Sequence, residues 1–354
     1  MIEKLNDLKI IENLDSERMY DKIFSFPEQI KQAREIGESL NPNLQYYKNI
    51  KNIVIIGMGG SAIGGDLVRS YLSRSLKIPF YVCRNYRLPD FVDDNTLIIA
   101  SSYSGNTEET LSALDDAMSR KAKVTCITTG GKLGEIAEKN DYMTAKLPSG
   151  YPPRSALGFS FVPLLFIMEK LGFAKDVDAS ISELVLGLTA YRKNYEVNNP
   201  VDKNPAKQLA LKLYNKIPII YSGPELTDAI GTRWKGQICE NAKCLAFNNQ
   251  FPEFNHNELV GWNIIDSYRD NLIVIYLRDS DDHPKVSQRM AVVRELIEKM
   301  DVEIVNIQSQ GDFPLGRMFS LIQLGDFASF YLAILNGVNP TPVKAIDYLK
   351  NKLG

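Results

Sequence analysis

At 354 residues the chain is long enough for two domains, at roughly 150 residues each, and each can bury a substantial core. Its 41 Lys+Arg against 43 Asp+Glu leave a formal net charge of -2, which removes any electrostatic case for nucleic acid or an anionic membrane surface. With two histidines, four cysteines (Cys83, Cys126, Cys239 and Cys244) and no CxxC or HxxxH spacing, a zinc site is poorly supported, and no metal or other cofactor is expected.

The N-terminal stretch MIEKLNDLKIIENLDSERMYDKI is charged throughout and lacks an apolar signal core, and no run of about 18 apolar residues occurs. A cytoplasmic location is expected, with the cysteines reduced and acting as small hydrophobes.

Residues 1–45 read as an N-terminal helical segment. From Lys51 short β-branched runs alternate with longer helical stretches, the pattern of βαβ units and a parallel sheet. Strands are predicted at residues 52–59 (NIVIIGMG), 78–85, 96–102 and 122–129, with helices in SAIGGDLVRSYLSR and TEETLSALDDAMSRK. These fall in a first α/β domain over residues 46–195. The polar stretch 192–208 reads as a linker or a helix-capping region. A second domain over residues 196–354 follows, with strands at 217–223, 271–278 and 302–309 and helices at 225–243, 285–300 and 315–336. Strand, glycine-bearing turn and helix recur in the same order, so a duplicated α/β domain is expected, each copy a mainly parallel sheet flanked by helices.

In such sheets ligands bind beyond the carboxyl ends of the strands, where helix N-termini present free N–H groups. Two turns of the first domain sit there. GMGGSAIGG (residues 57–65) allows close backbone approach and offers Ser61. SSYSGNTEE (residues 101–109) places Ser102, Ser104 and Thr107 around one tight turn with Gly105. Gly57, Gly59 and Ala62 also fit the G-x-G-x-x-A dinucleotide pattern, but the acidic residue that takes the ribose hydroxyls is replaced by Cys83, Arg84 and Asn85. Without a ligand, GMGG is a plain strand-to-helix turn, and SSYSGNTEE is a helix cap with Glu108 or Glu109 completing a capping box.

GMGGSAIGGD followed by SSYSGNTEET resembles the sugar isomerase (SIS) domain, a flavodoxin-like α/β unit that binds phosphosugars. The stretches YPPRSALGFSF, CENAK, PEFNHNE and NPTPVKAIDYLK extend the resemblance to the bifunctional phosphoglucose/phosphomannose isomerases of archaea and some bacteria, over nearly the whole chain from about Lys51. The resemblance implies two SIS domains, assembled as a homodimer with active sites at the subunit interface. It implies that Gly59, Gly60, Ser61, Ser102, Ser104 and Thr107 hold the substrate phosphate, that Arg154 binds and stabilises the charged intermediate, and that Glu240 is the base. His256, from the neighbouring subunit, and Lys344 then serve ring opening.

The chemistry is consistent with these residue types. Interconverting glucose 6-phosphate or mannose 6-phosphate with fructose 6-phosphate passes a proton between carbons 1 and 2 through a cis-enediolate. One carboxylate can shuttle that proton, assistance typically worth about 10²–10⁴-fold. Partial burial of Glu240 beside Cys239 and Ala242 would make it a better base. A fixed cation near the enediolate oxygens stabilises the developing charge. Histidine titrates in the range that ring opening needs; His256 lies in a polar loop, whereas His283, in DSDDHPK, reads as solvated or as a cap for the following helix. Taken alone, Glu240, Arg154 and Lys344 are ordinary solvated or ion-paired charges. Accepting both hexose phosphates also requires room to rotate about the bond between carbons 2 and 3, and Thr341 is the candidate to border that space. An isomerase of another phosphosugar and a non-catalytic phosphosugar-binding regulator remain alternatives, with a dehydrogenase more distant.

Overall fold

The computed structural model describes residues 1–353; Gly354, the last residue of the expected second domain, lies outside them. The chain forms two compact units, one made of Ser25–Leu186 and the other of Met1–Phe24 together with the chain from Gly187 on. The N-terminal segment is helical and is divided between them. Helices Ile2–Asn6, Leu8–Leu14 and Met19–Phe24 belong to the second unit, and Phe26–Ser39 to the first.

In the first unit β1 (Asn52–Ile56), β2 (Phe80–Cys83), β3 (Thr96–Ser102), β4 (Lys123–Thr128) and β5 (Thr144–Lys146) pair in the order β2-β1-β3-β4-β5, every pair parallel. All seven residues of β3 are buried, which is why TLIIASS is a continuous run without polar alternation. The helices leaving β1 and β3 lie on opposite faces. Val54 and Ile56 pack with Ala113 and Leu114 of the helix Glu108–Ser119, whereas Ile55 meets Gly65 of the helix Gly59–Leu72. The chain therefore departs in opposite directions at β1 and β3 and leaves a crevice beyond their carboxyl ends. Cys126 is fully enclosed in this core, and burial pushes its thiol up to about 12, so it behaves as a small hydrophobe.

The second unit repeats the first four strands. Here β6 (Ile217–Ser222), β7 (Phe247–Gln250), β8 (Leu272–Arg278) and β9 (Ile304–Gln308) pair in the order β7-β6-β8-β9, again all parallel. Its longest helix, Pro314–Asn336, is 23 residues, long and apolar enough by composition to cross a membrane, but 94% of its most apolar window is buried inside the fold. That helix carries Asp326, which accepts from Arg233 Nη2 at 2.6 Å and from Gln237 Nε2 at 2.8 Å on the helix Asp228–Ala242. Asn241 Nδ2 donates to Ser329 Oγ at 2.9 Å, and Trp234 Nε1 to the Leu321 carbonyl at 3.0 Å. Arg233, Gln237 and Asn241 recur every four residues, so one polar stripe fixes the rotation of their helix. Burial pushes the Asp326 carboxyl up and Arg233 counters it, so the two groups are worth more in fixing that rotation than in net stability.

Two strands escape the sequence pattern. Thr144–Lys146 is three residues long, and Phe247–Gln250 reads FNNQ; each is an edge strand, exposed enough to carry polar side chains. The polar stretch 192–208 is tied down by short 3₁₀ turns at Arg192–Tyr195 and Val201–Lys203 and by the start of the helix Pro205–Leu213. Asn204 caps that helix through the Ala206 and Lys207 amides, both at 3.1 Å, and buried Lys207 donates to the Val197 and Asn199 carbonyls at 2.8 Å each.

Candidate active site

The crevice of the first sheet is built by backbone approach. After β1 the chain turns at Gly57, where a Cβ would stand 2.8 Å from the Ser101 carbonyl oxygen, so the turn after β1 touches the end of β3. Gly60, in the first turn of Gly59–Leu72, faces the turn that bears Arg154; a Cβ there would meet the Pro153 carbonyl oxygen at 2.5 Å and the Arg154 nitrogen at 3.2 Å. Any other residue at position 60 would push the Arg154 turn away. Buried Ser61 accepts from the Tyr103 amide at 3.1 Å, which locks the two turns in register.

The turn after β3 is held just as closely. Gly105 has φ +70°, and a Cβ there would run into the Gly130 carbonyl. The Thr129 amide donates to the Tyr103 carbonyl at 3.1 Å, and the Leu133 amide to that of Gly105 at 2.9 Å. Ser102 Oγ accepts from the Gly105 amide at 3.1 Å and shares a hydrogen with Thr107 Oγ1 at 2.9 Å. Thr107 occupies the N-cap position of Glu108–Ser119, yet its side chain makes no capping bond. The capping box weighed for this turn does not form. The hydroxyl pair is turned aside, and the first-turn N–H groups of the helix receive no cap side chain, the arrangement that accepts an anion. Ser104 is exposed at the rim, its Oγ accepting from the Asn106 amide at 3.3 Å.

Arg154, 5% exposed, lies in the 3₁₀ turn Pro153–Ser155. Tyr103 OH steadies the approach to that turn, donating to the Pro148 carbonyl at 2.7 Å and accepting from the Tyr151 amide at 3.2 Å. The first unit thus brings Gly59, Gly60, Ser61, Ser102, Ser104, Thr107 and Arg154 onto adjoining turns.

In the second unit Glu240 and Lys344 line one cavity of 720 Å³, together with Cys239, Lys243, Cys244 and Val338. Glu240 is half-buried in the last turn of Asp228–Ala242, and Lys344 begins the helix Lys344–Leu353. Lys243, left-handed at φ 54°, ends the Glu240 helix. Its Nζ donates to the Glu240 carbonyl at 2.6 Å and to that of Pro340 at 2.9 Å, tying the helix end to the loop that leads into Lys344. These main-chain contacts of Lys243 leave no trace in the sequence spacing. Thr341 is buried in the same loop. His256 does not join this cavity; it ends the 3₁₀ turn Glu253–His256 and is exposed. His283 caps Pro284–Glu298, its Nδ1 accepting from the Lys285 amide at 3.1 Å. Among the described residues no three His, Cys, Asp or Glu side chains converge to hold a metal ion.

The second sheet's own crevice is filled by its own carboxylates. Asp279, directly after β8, accepts from Arg317 Nε at 3.1 Å and from Ser309 Oγ at 2.6 Å, and Asp282 accepts from Arg278 Nε at 3.1 Å. A Cβ on Gly223, directly after β6, would stand 2.8 Å from Asp282 Oδ1. Burial pushes the Asp282 carboxyl up, while the Asp279 amide and Arg278 oppose the shift. Two carboxylates in that position disfavour a bound anion.

The paired sheets and the anion-accepting turn are those of a phosphosugar-binding fold. A family model described as the SIS domain matches residues 46–150, and one described as the bacterial phospho-glucose isomerase C-terminal SIS domain matches residues 202–353. Among solved structures, the tagatose-6-phosphate ketose/aldose isomerase from Escherichia coli superposes with a TM-score of 0.72 over 92% of this chain and 95% of that one, at 15% identity. The bifunctional phosphoglucose/phosphomannose isomerase of Caldicellulosiruptor bescii is 49% identical over 335 residues, 95% of this chain and 98% of that protein. That of Aquifex aeolicus is 36% identical, over 95% and 98%. The chain belongs to the bifunctional phosphoglucose/phosphomannose isomerase family.

Replacing Thr107 by valine removes the hydroxyl and keeps the shape. Thr107→Val is expected to weaken binding of a non-isomerisable polyol phosphate by about tenfold or more, the worth of one hydrogen bond to a charged group, with turnover of bound substrate less affected. Calorimetric titration and steady-state kinetics check this; unchanged affinity would remove the turn from the phosphate site.

Proposed function

We propose that this chain is an aldose-ketose isomerase interconverting glucose 6-phosphate and mannose 6-phosphate with fructose 6-phosphate through a cis-enediolate, without a metal ion. The observation that carries the proposal is the Ser102–Thr107 pair, which leaves a helix N-terminus open at the crevice instead of capping it. Membership of the family supports the following roles. Gly59, Gly60, Ser61, Ser102, Ser104 and Thr107 hold the phosphate, and the buried Arg154 guanidinium stabilises the negative charge that develops on the enediolate oxygens.

Glu240 carries the proton between carbons 1 and 2. One carboxylate suffices because both carbons present their hydrogens to the same face of a cis-enediolate. Lys344, lining the same cavity, assists ring opening. His256 gives or takes the other ring-opening proton, and it acts on substrate bound by a second copy of the chain in a homodimer. Its exposure in the single chain supports this assignment. The setting is the cytoplasm, where the four free cysteines stay reduced.

Incubation with either glucose 6-phosphate or mannose 6-phosphate in excess EDTA is expected to yield fructose 6-phosphate. Product from neither, with folded protein, would overturn the proposal; binding without product would mark a phosphosugar-sensing regulator. For the shared site, Glu240→Gln and His256→Ala homodimers are each expected to be inactive. Mixing them is expected to restore activity, up to about a quarter of the wild-type value for random exchange with one intact site per mixed dimer. No recovery despite demonstrated subunit exchange would place His256 elsewhere.

A further inference from the structure

Gln29 lies in the N-terminal segment, 126 residues before the turn it touches, on the helix Phe26–Ser39. It is 2% exposed, and both ends of its amide are engaged. Nε2 donates to the Ser155 carbonyl at 2.9 Å, one residue beyond Arg154, and Oε1 accepts from the Gly158 amide at 2.7 Å, in the first turn of the helix Leu157–Lys170. A Cβ on Gly158 would stand 2.8 Å from Oε1, so a larger residue there would push the Gln29 amide aside.

We infer that Gln29 is a positioning residue for Arg154, setting where its guanidinium stands when charge develops on the substrate; this rests on the isomerase function and the role of Arg154 proposed above. The Arg154 turn is gripped at separate points: the Gly60 turn against Pro153, Tyr103 OH on Pro148 and Tyr151, and Gln29 on Ser155 and Gly158. The planar amide spans the two ends of the peptide segment directly after Arg154 and holds it to a fixed length. Stabilisation of a transition state depends on the cation being in place beforehand, and a displacement of about 1 Å can cost about 10²-fold in rate. Gln29 directs its side-chain hydrogen bonds to Ser155 and Gly158, not to the phosphate turns. Its loss therefore falls on kcat and spares KM, whereas a merely structural residue would lower the melting temperature and leave the kcat of the folded enzyme alone.

The test compares Gln29→Met, of similar length with no polar contacts, in the native enzyme and in an Arg154→Lys background. In the native background kcat from fructose 6-phosphate is expected to fall at least about tenfold, with KM and the affinity for a polyol phosphate within about twofold. In the Arg154→Lys background the further loss is expected to stay below about threefold, because the two residues act as one unit. Native-like kcat in the folded variant, or equal losses in both backgrounds, overturns the inference. Where Gln29→Met does not fold, as judged by circular dichroism, Gln29→Glu keeps the acceptor for Gly158 and loses the donor to Ser155, and the same comparison applies. Full kcat in Arg154→Lys alone would overturn the role of Arg154 and this inference with it; full kcat in the Gln29 variants alone would leave that role standing.

Discussion

A helix that starts at the mouth of a parallel sheet leaves its first amide hydrogens without acceptors, and the preceding Ser, Thr, Asp or Asn usually turns its side chain onto them. Thr107 does not. Its hydroxyl is engaged 2.9 Å away by Ser102, whose oxygen also takes the Gly105 amide, so the open amides are a consequence of the turn's own hydrogen bonds. The turn in its place is braced by Tyr103 and by the Gly130 loop, and the turn beside it is braced by Ser61. In the proposed function the positive end of the Glu108–Ser119 helix, rather than net charge, would attract a phosphate to a chain whose formal charge is -2.

The two units share a strand order and differ in what stands at the switch point. In the first, glycines and hydroxyls leave room for an external anion. In the second, Asp279 and Asp282 supply the anion from within and are matched by Arg317 and Arg278. Glu240 and Lys344 line a cavity elsewhere in the second unit. The stripe of Arg233, Gln237 and Asn241 fixes the helix that carries Glu240, and Lys243 fixes its end.

Much of this was legible in the sequence because it is local. NIVII and TLIIASS announce buried parallel strands, and the Ser and Thr of SSYSGNTEE lie within six residues of one another. Capping by His283 was one of its two sequence readings, from its place before Pro284. The edge strands Thr144–Lys146 and Phe247–Gln250 were hidden because an edge position relaxes the demand for apolar residues. The clamp from Gln29 to Ser155 was hidden for a different reason: a hydrogen bond across 126 residues leaves no periodic trace. Arg154 reads as a surface charge until Gly60 and Gln29 are seen to enclose its turn.

In the proposed reaction one carboxylate passes a proton between neighbouring carbons of a sugar phosphate held by the Ser102–Thr107 turn. Following fructose 6-phosphate in D₂O by proton NMR tests it most directly. Because the carboxyl proton can exchange with solvent while the enediolate lasts, deuterium is expected to accumulate over many turnovers at carbon 2 of both the glucose 6-phosphate and the mannose 6-phosphate, and no exchange is expected with Glu240→Gln, which still binds substrate. Products still free of deuterium at carbon 2 after many turnovers would point to hydride transfer, and exchange persisting in Glu240→Gln would place the base elsewhere; either result would overturn proton transfer by Glu240.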